Sequence, residues 1–147
     1  MIYFDSSYIV RLYFEDRGFE AVRQLAATDV IGCAQHGRVE VSSALRRKRR
    51  EGILNDSLYQ IVLEQFSHES DAGAFAWLPL SPRVFERIVR TYRSLPFDVF
   101  LRSADAMHLA CSAENGLREI YSNDRHLLAA APHFGIRGIN VIESFKK

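Results

Sequence analysis

Residues 1–13 read Met1-Ile2-Tyr3-Phe4-Asp5-Ser6-Ser7-Tyr8-Ile9-Val10-Arg11-Leu12-Tyr13. Ile2-Tyr3-Phe4 is a short β-prone run, Asp5-Ser6-Ser7 supplies helix N-caps, and Ile9, Leu12 and Tyr13 recur at helical spacing. A strand that passes straight into a helix is the opening half of a β–α unit, and the alternation continues downstream. Val30-Ile31-Gly32-Cys33 reads as a strand ahead of a helix from about Gln35 to Arg50, which Gly52 stops. Glu119-Ile120-Tyr121-Ser122 reads as a strand ahead of a short helix at 123–131, and Ile139-Asn140-Val141-Ile142 as the last strand. Further helices begin at Phe19, at Asn55, at Ser81-Pro82 and near Leu101, the last closed by Gly116. Short apolar strands between helices predict an α/β fold whose mostly parallel sheet is covered on both faces.

The chain has 147 residues, which predicts a single domain spanning 1–147 by the rule of roughly 150 residues per domain. With 48% hydrophobic and 25% charged residues it is ordinary for a globular protein, which excludes a disordered, collagen-like or disulfide-built chain. The formal charge of +1 conceals a cluster, Arg46-Arg47-Lys48-Arg49-Arg50. Outside that run 14 basic residues stand against 18 acidic ones, so the rest of the chain is mildly acidic. Cys33 and Cys111 lie in apolar surroundings and read as buried free thiols of a reducing compartment. The N-terminus carries no basic signal-peptide region, and no apolar run approaches the roughly 20 residues of a membrane span. A cytoplasmic protein without membrane contact is expected.

Open parallel sheets bind ligands beyond the carboxyl ends of their strands. Asp5 follows the first strand directly and Asp124 follows Tyr121-Ser122, so both acids fall at that edge, where ordinary N-capping is their alternative role. Glu40, between Val39 and Val41, and Asp105, between Ala104 and Ala106, lie inside helices among apolar or small neighbours. A buried carboxylate requires a partner, and Arg38 and Arg102 are the local candidates for plain ion pairs. Four carboxylates converging on one pocket would instead repel unless a cation intervened. A hard oxygen set of that kind suits Mg²⁺ or Mn²⁺ and phosphoryl chemistry.

The order of these motifs resembles PIN-domain proteins, in particular VapC-type toxins of bacterial toxin–antitoxin pairs. The opening thirteen residues are similar to the start of such proteins, and Val39-Glu40-Val41-Ser42-Ser43-Ala44-Leu45 to their second acidic motif. Asp105-Ala106-Met107-His108-Leu109-Ala110 resembles the third, and Tyr121-Ser122-Asn123-Asp124-Arg125-His126-Leu127 the fourth. The resemblance implies a three-layer α/β/α sandwich with a mostly parallel central sheet. It also implies an Mg²⁺- or Mn²⁺-dependent endoribonuclease that hydrolyses RNA phosphodiester bonds. On that reading Asp5, Glu40, Asp105 and Asp124 form the acidic metal site, with Asp5 and Asp105 as direct ligands and Ser122 and Ser6 bonded to the acids, a plain N-cap being the equal alternative for Ser6. A VapB-like antitoxin that inserts a basic side chain, and a homodimer, are the implied partners. The segment Phe97-Asp98-Val99-Phe100-Leu101-Arg102 departs from the pattern and bears on substrate choice.

The alternative class is a non-catalytic PIN-like module that acts through protein contacts. A receiver-like site would want a lysine near a late strand, and a phosphatase-like site a second aspartate where Ser7 stands. His108, three residues after Asp105, is expected to pack or hydrogen-bond; an Asp/His metal pair is its other reading. His36, His68, His126 and His133 are expected at the surface or in caps. Phe66, Phe85 and Tyr92 are expected in the core. Tyr8, Tyr13, Phe14 and Phe19 are read first as core and otherwise as a partner surface. Five consecutive helical positions circle the axis, so Arg46 to Arg50 cannot form one face. Their position suits the negative end of a helix, and one or two could still reach RNA beside Glu40.

Overall fold

Five strands, β1 (Ile2–Phe4), β2 (Ile31–Ala34), β3 (Phe75–Leu78), β4 (Glu119–Tyr121) and β5 (Arg137–Ile139), pair in parallel throughout, in the order β3-β2-β1-β4-β5. They belong to a computed structural model that describes residues 1–142. The chain moves outward from β1 to β2 and β3, then returns to the other side of β1 for β4 and β5. The reversal, and hence the crevice for a ligand, therefore falls between β1 and β4.

Side chains alternate across the sheet and bury it on both sides. Tyr3 and Ile120 enter the core shared with α5 (Pro82–Ser94), α6 (Ser103–Glu114) and α7 (Arg125–Ala130). Phe4, Ile31 and Phe75 enter the opposite core, with Tyr8 and Ile9 of α1 (Ser6–Tyr13) and Val22 of α2 (Phe19–Ala26). Val41 and Leu45 of α3 (His36–Arg50) and Phe66 of α4 (Asp56–Asp71) complete it. Helix, sheet and helix make the expected three-layer α/β/α sandwich. Cys33 and Cys111 are both buried and free. Among the described residues no helix is long and apolar enough to cross a membrane.

The sequence signals for helix ends hold. Asn55 Oδ1 accepts the Leu58 backbone N–H at 2.8 Å, and Gly52, just beyond α3, takes the left-handed φ of 78° that ends a helix. Two expectations differ, in the last strand and in the aromatics of α5, while the default reading of the N-terminal aromatics holds. The last strand is Arg137–Ile139 rather than 139–142, because Asn140 turns the chain by accepting the Ile142 N–H on its own Oδ1. Phe85 and Tyr92 are exposed; on α5 the buried positions are Val84 and Ile88. The N-terminal aromatics resolve towards the core, with Tyr8 fully buried and Tyr13 edge-on to Phe66.

Candidate functional site

Because every strand runs the same way, the residues after β1 and β4 emerge at one edge of the sheet. Asp5, the first residue after β1, is 5% exposed and caps α1 by accepting the Tyr8 N–H at 3.1 Å. Its Oδ1 also lies 2.7 Å from Ser7 Oγ, and its Oδ2 accepts a short hydrogen bond from Ser122 Oγ across the crevice. Ser122 Oγ in turn accepts the Asp124 N–H at 2.9 Å. One hydroxyl thus ties the acid after β1 to the backbone of the acid after β4. Asp124 caps α7, accepting from the His126 and Leu127 N–H groups. Capping and a place in the shared crevice coexist in both aspartates.

Asp105 comes from the first turn of α6 and is 9% exposed. Its Oδ2 lies 3.3 Å from Arg102 Nε, while Arg102 Nη2 reaches Asp124 Oδ2 at 3.1 Å. One guanidinium therefore bridges two of the four acids. The expectation for Arg102 holds and widens: it serves Asp124 as well as Asp105. Arg38, the other expected partner, points away from Glu40 and pairs with Asp71 at 2.6 Å. The α3 surface offers Glu40 something else.

Glu40 Oε1 accepts a 2.6 Å bond from His108 Nε2 and lies 3.5 Å from His36 Nε2. His108 is 1% exposed, and its Nδ1 faces Tyr3 Oη at 2.7 Å. Tyr3 Oη is itself fixed by the Ala34 N–H at 2.9 Å. A line of hydrogen bonds therefore runs from β2 through Tyr3 and His108 to the carboxylate of Glu40. His108 is the hydrogen-bonding histidine expected. His36 is not the surface or capping residue expected, because its ring packs against His108 at 4.2 Å, tilted by 40°, and its Nε2 meets Ala104 O at 2.9 Å. The missed signal was its place four residues before Glu40, one turn away on the same face of α3.

The electrostatics divide the acids. Burial pushes the Asp5 carboxyl up, against the pull of the Ser122 and Ser7 hydroxyls and the His108 charge. Burial, then the Asp124 charge, push Asp105 up, and Arg102 only partly compensates. Burial would raise Glu40 too, but the hydrogen bond and charge of His108 prevail, helped by His36 and Ser6, and hold it below the usual range. Burial and the His108 charge lower His36, against the pull of the Glu40 charge and the bond to Ala104 O. Two inner carboxyls with raised values are short of positive charge, which a divalent cation would supply. Both are oxygen donors of the kind that hard divalent ions favour. His36, Glu40 and His108 also bring one ligand atom each within 4.8 Å of one another.

A groove of about 570 Å³ opens beside this network, lined by Ser6, Ser7, Glu40, Arg47, Lys48 and Asn123. The basic run thus divides. Arg49 pairs with Asp56, and Lys48 pairs with Asp16 at 2.8 Å while its ammonium sits over the Phe14 ring. Arg47 and Lys48 nevertheless share the groove wall with Glu40, so part of the basic helix end faces the same space as that one acid.

Fold and site together define a parallel α/β/α protein with an acidic pocket at its topological switch point. The PIN-domain family model matches residues 2–132, and the chain belongs to that family. Among solved structures, VapC20 of Mycobacterium tuberculosis, a sarcin-ricin-loop-cleaving toxin, superposes with a TM-score of 0.69 at 17% identity over 88% of this chain and 95% of that one. FitAcB from Neisseria gonorrhoeae gives 0.72 at 14% identity over 96% and 98%. VapBC2 from Rickettsia felis, bound to a fragment of its promoter DNA, gives 0.64 at 11% identity over 95% and 98%. No curated protein sequence matches the chain.

Proposed function

We propose that this protein is the toxin of a toxin–antitoxin pair, a cytoplasmic Mg²⁺- or Mn²⁺-dependent endoribonuclease. The observation that carries the reading is the hydrogen-bonded linkage of Asp5, Asp124 and Asp105 through Ser122 and Arg102 at the β1/β4 crevice, with Glu40 held on a separate line by His108. Asp5 and Asp105 would hold the ion, with Asp124 and Glu40 acting through water. When bound, the ion lowers the pKa of water and offsets charge on the scissile phosphate. The chain's own groups supply the rest. Glu40, kept ionised by His108 and facing the groove, accepts the proton of the attacking water. Ser122 and Ser7 orient Asp5, and Arg47 and Lys48 hold the RNA backbone beside it. The fold neighbours that are themselves toxins or toxin–antitoxin complexes support an antitoxin partner, and a homodimer accompanies that reading.

The test is hydrolysis of RNA by purified protein. Internal cleavage with Mn²⁺ or Mg²⁺, abolished by EDTA and restored by the ion, is expected. Intact RNA under all three conditions would leave the rival reading, a module acting through protein contacts alone.

Arg102 already lends the Asp105–Asp124 pair a positive charge, so it competes with any added ion. Arg102→Gln should therefore tighten Mn²⁺ binding, measured by calorimetry, by about three- to tenfold; exposed ion pairs rarely contribute more.

A further inference from the structure

The segment that leads into Arg102 is built unlike a mobile loop. Val99 and Leu101 point inward and pack against the α5–α6 core. The Val99 N–H bonds Pro96 O at 3.0 Å, and Tyr92 Oη donates to Leu101 O at 2.8 Å. The intervening aromatics point the other way: Phe97 is fully exposed, and Phe100 is 55% exposed. Holding two phenyl rings in water on an anchored backbone costs hydrophobic free energy that core packing does not return. Phe100 is also placed. Its ring lies 4.8 Å from the His126 ring, tilted by 59°, and His126 follows the α7 cap Asp124 by two residues. Two residues beyond Phe100, Arg102 grips Asp124 itself. Arg125, exposed beside His126, adds a second cation.

Resting on the ribonuclease reading above, we propose that Phe100 and His126, with Phe97 at the rim, form a stacking platform for an unpaired base next to the scissile phosphate. The chemistry favours a base over an apolar protein segment. The platform is continuous with the acidic pocket, cations flank it to meet the phosphates, and its exposed face is two π-systems rather than a wide aliphatic patch. A base stacked on the exposed Phe100 face would leave its phosphate towards the Asp105–Asp124 edge. A duplex cannot present an unstacked base and loses this contact.

Fluorescence anisotropy with a labelled RNA 10-mer, single-stranded or annealed to its complement, tests this in Mn²⁺, in an Asp5→Asn background that keeps the strand intact. The single strand should bind more tightly than the duplex. Phe100→Ala should weaken single-strand binding about tenfold, the usual loss for one stacked base, and leave duplex binding unchanged. Phe100→Trp should retain affinity, whereas Phe100→Leu should resemble Ala. Unchanged affinity in Phe100→Ala, or wild-type affinity in Phe100→Leu, would overturn the platform. So would a change of oligomeric state on light scattering with RNA affinity intact, which would make the patch a protein interface. Any of these results leaves the ribonuclease reading standing, provided the same Phe100 variant with Asp5 intact still cleaves RNA. A protein that binds neither RNA form overturns both.

Discussion

Asp5→Asn should lower the rate of RNA cleavage at saturating Mn²⁺ by about a thousandfold, while leaving the protein folded. The size reflects the loss of a direct ligand, and with it the charge that would position the ion and its water. The conservative substitution separates chemistry from folding. Asparagine caps helices as well as aspartate, so its Oδ1 can still accept the Tyr8 N–H. The side-chain amide remains within reach of the Ser122 oxygen. Burial raises the Asp5 carboxyl, so the native charge opposes folding, and its removal should hold or raise the thermal midpoint. Calorimetric melting beside the cleavage assay checks both halves. A variant that loses activity by unfolding would show a lower midpoint instead.

His108→Leu should behave in the opposite way and cost stability first. The leucine fills the site but supplies neither a donor for Glu40 nor a partner for Tyr3 Oη. Two polar groups lose a buried partner, which costs about 2–3 kcal/mol and lowers the midpoint by about 6–9 °C at this chain length. Cleavage should also fall by at least tenfold in the folded fraction at permissive temperature, because Glu40 is no longer oriented or held ionised. A double-mutant cycle with Glu40→Gln isolates that part. If His108 acts through Glu40, the second substitution adds little to the first in the cleavage rate; independent effects would multiply.

Much of the fold is legible from residue types alone. The β–α pattern of the first thirteen residues, the caps at Asn55 and Ser81-Pro82, and the stop at Gly52 are local signals, and each lies where the pattern puts it. Strand order rests on parallel strands with helical crossovers, and it brings Asp5 and Asp124 to one edge. The partners of those acids are less legible, because they are fixed by contacts between distant segments. Ser122 and Asp5 are 117 residues apart, and His108 and Glu40 are 68 apart. His36 reads as a surface residue because periodicity weighs apolar side chains, and a half-buried imidazole leaves no mark there. Phe85 and Tyr92 show the converse: helical spacing fits them to a core, yet the sheet receives Val84 and Ile88. Arg102 is visible as a neighbour of Asp105, but its reach to Asp124 depends on where α7 starts.

The hydroxyl of Ser122 that joins Asp5 to Asp124 has a consequence for synthesis. The strand that carries it, β4, is inserted beside β1 only after some 117 intervening residues have been made. A nascent chain that has completed β1, β2 and β3 has nothing to stand beside Asp5 on its β4 side, and lacks Asp124 altogether. Long-range parallel pairing of this kind closes late. The acidic pocket therefore assembles only once β4 and the Asp124 segment after it have been made and have paired beside β1.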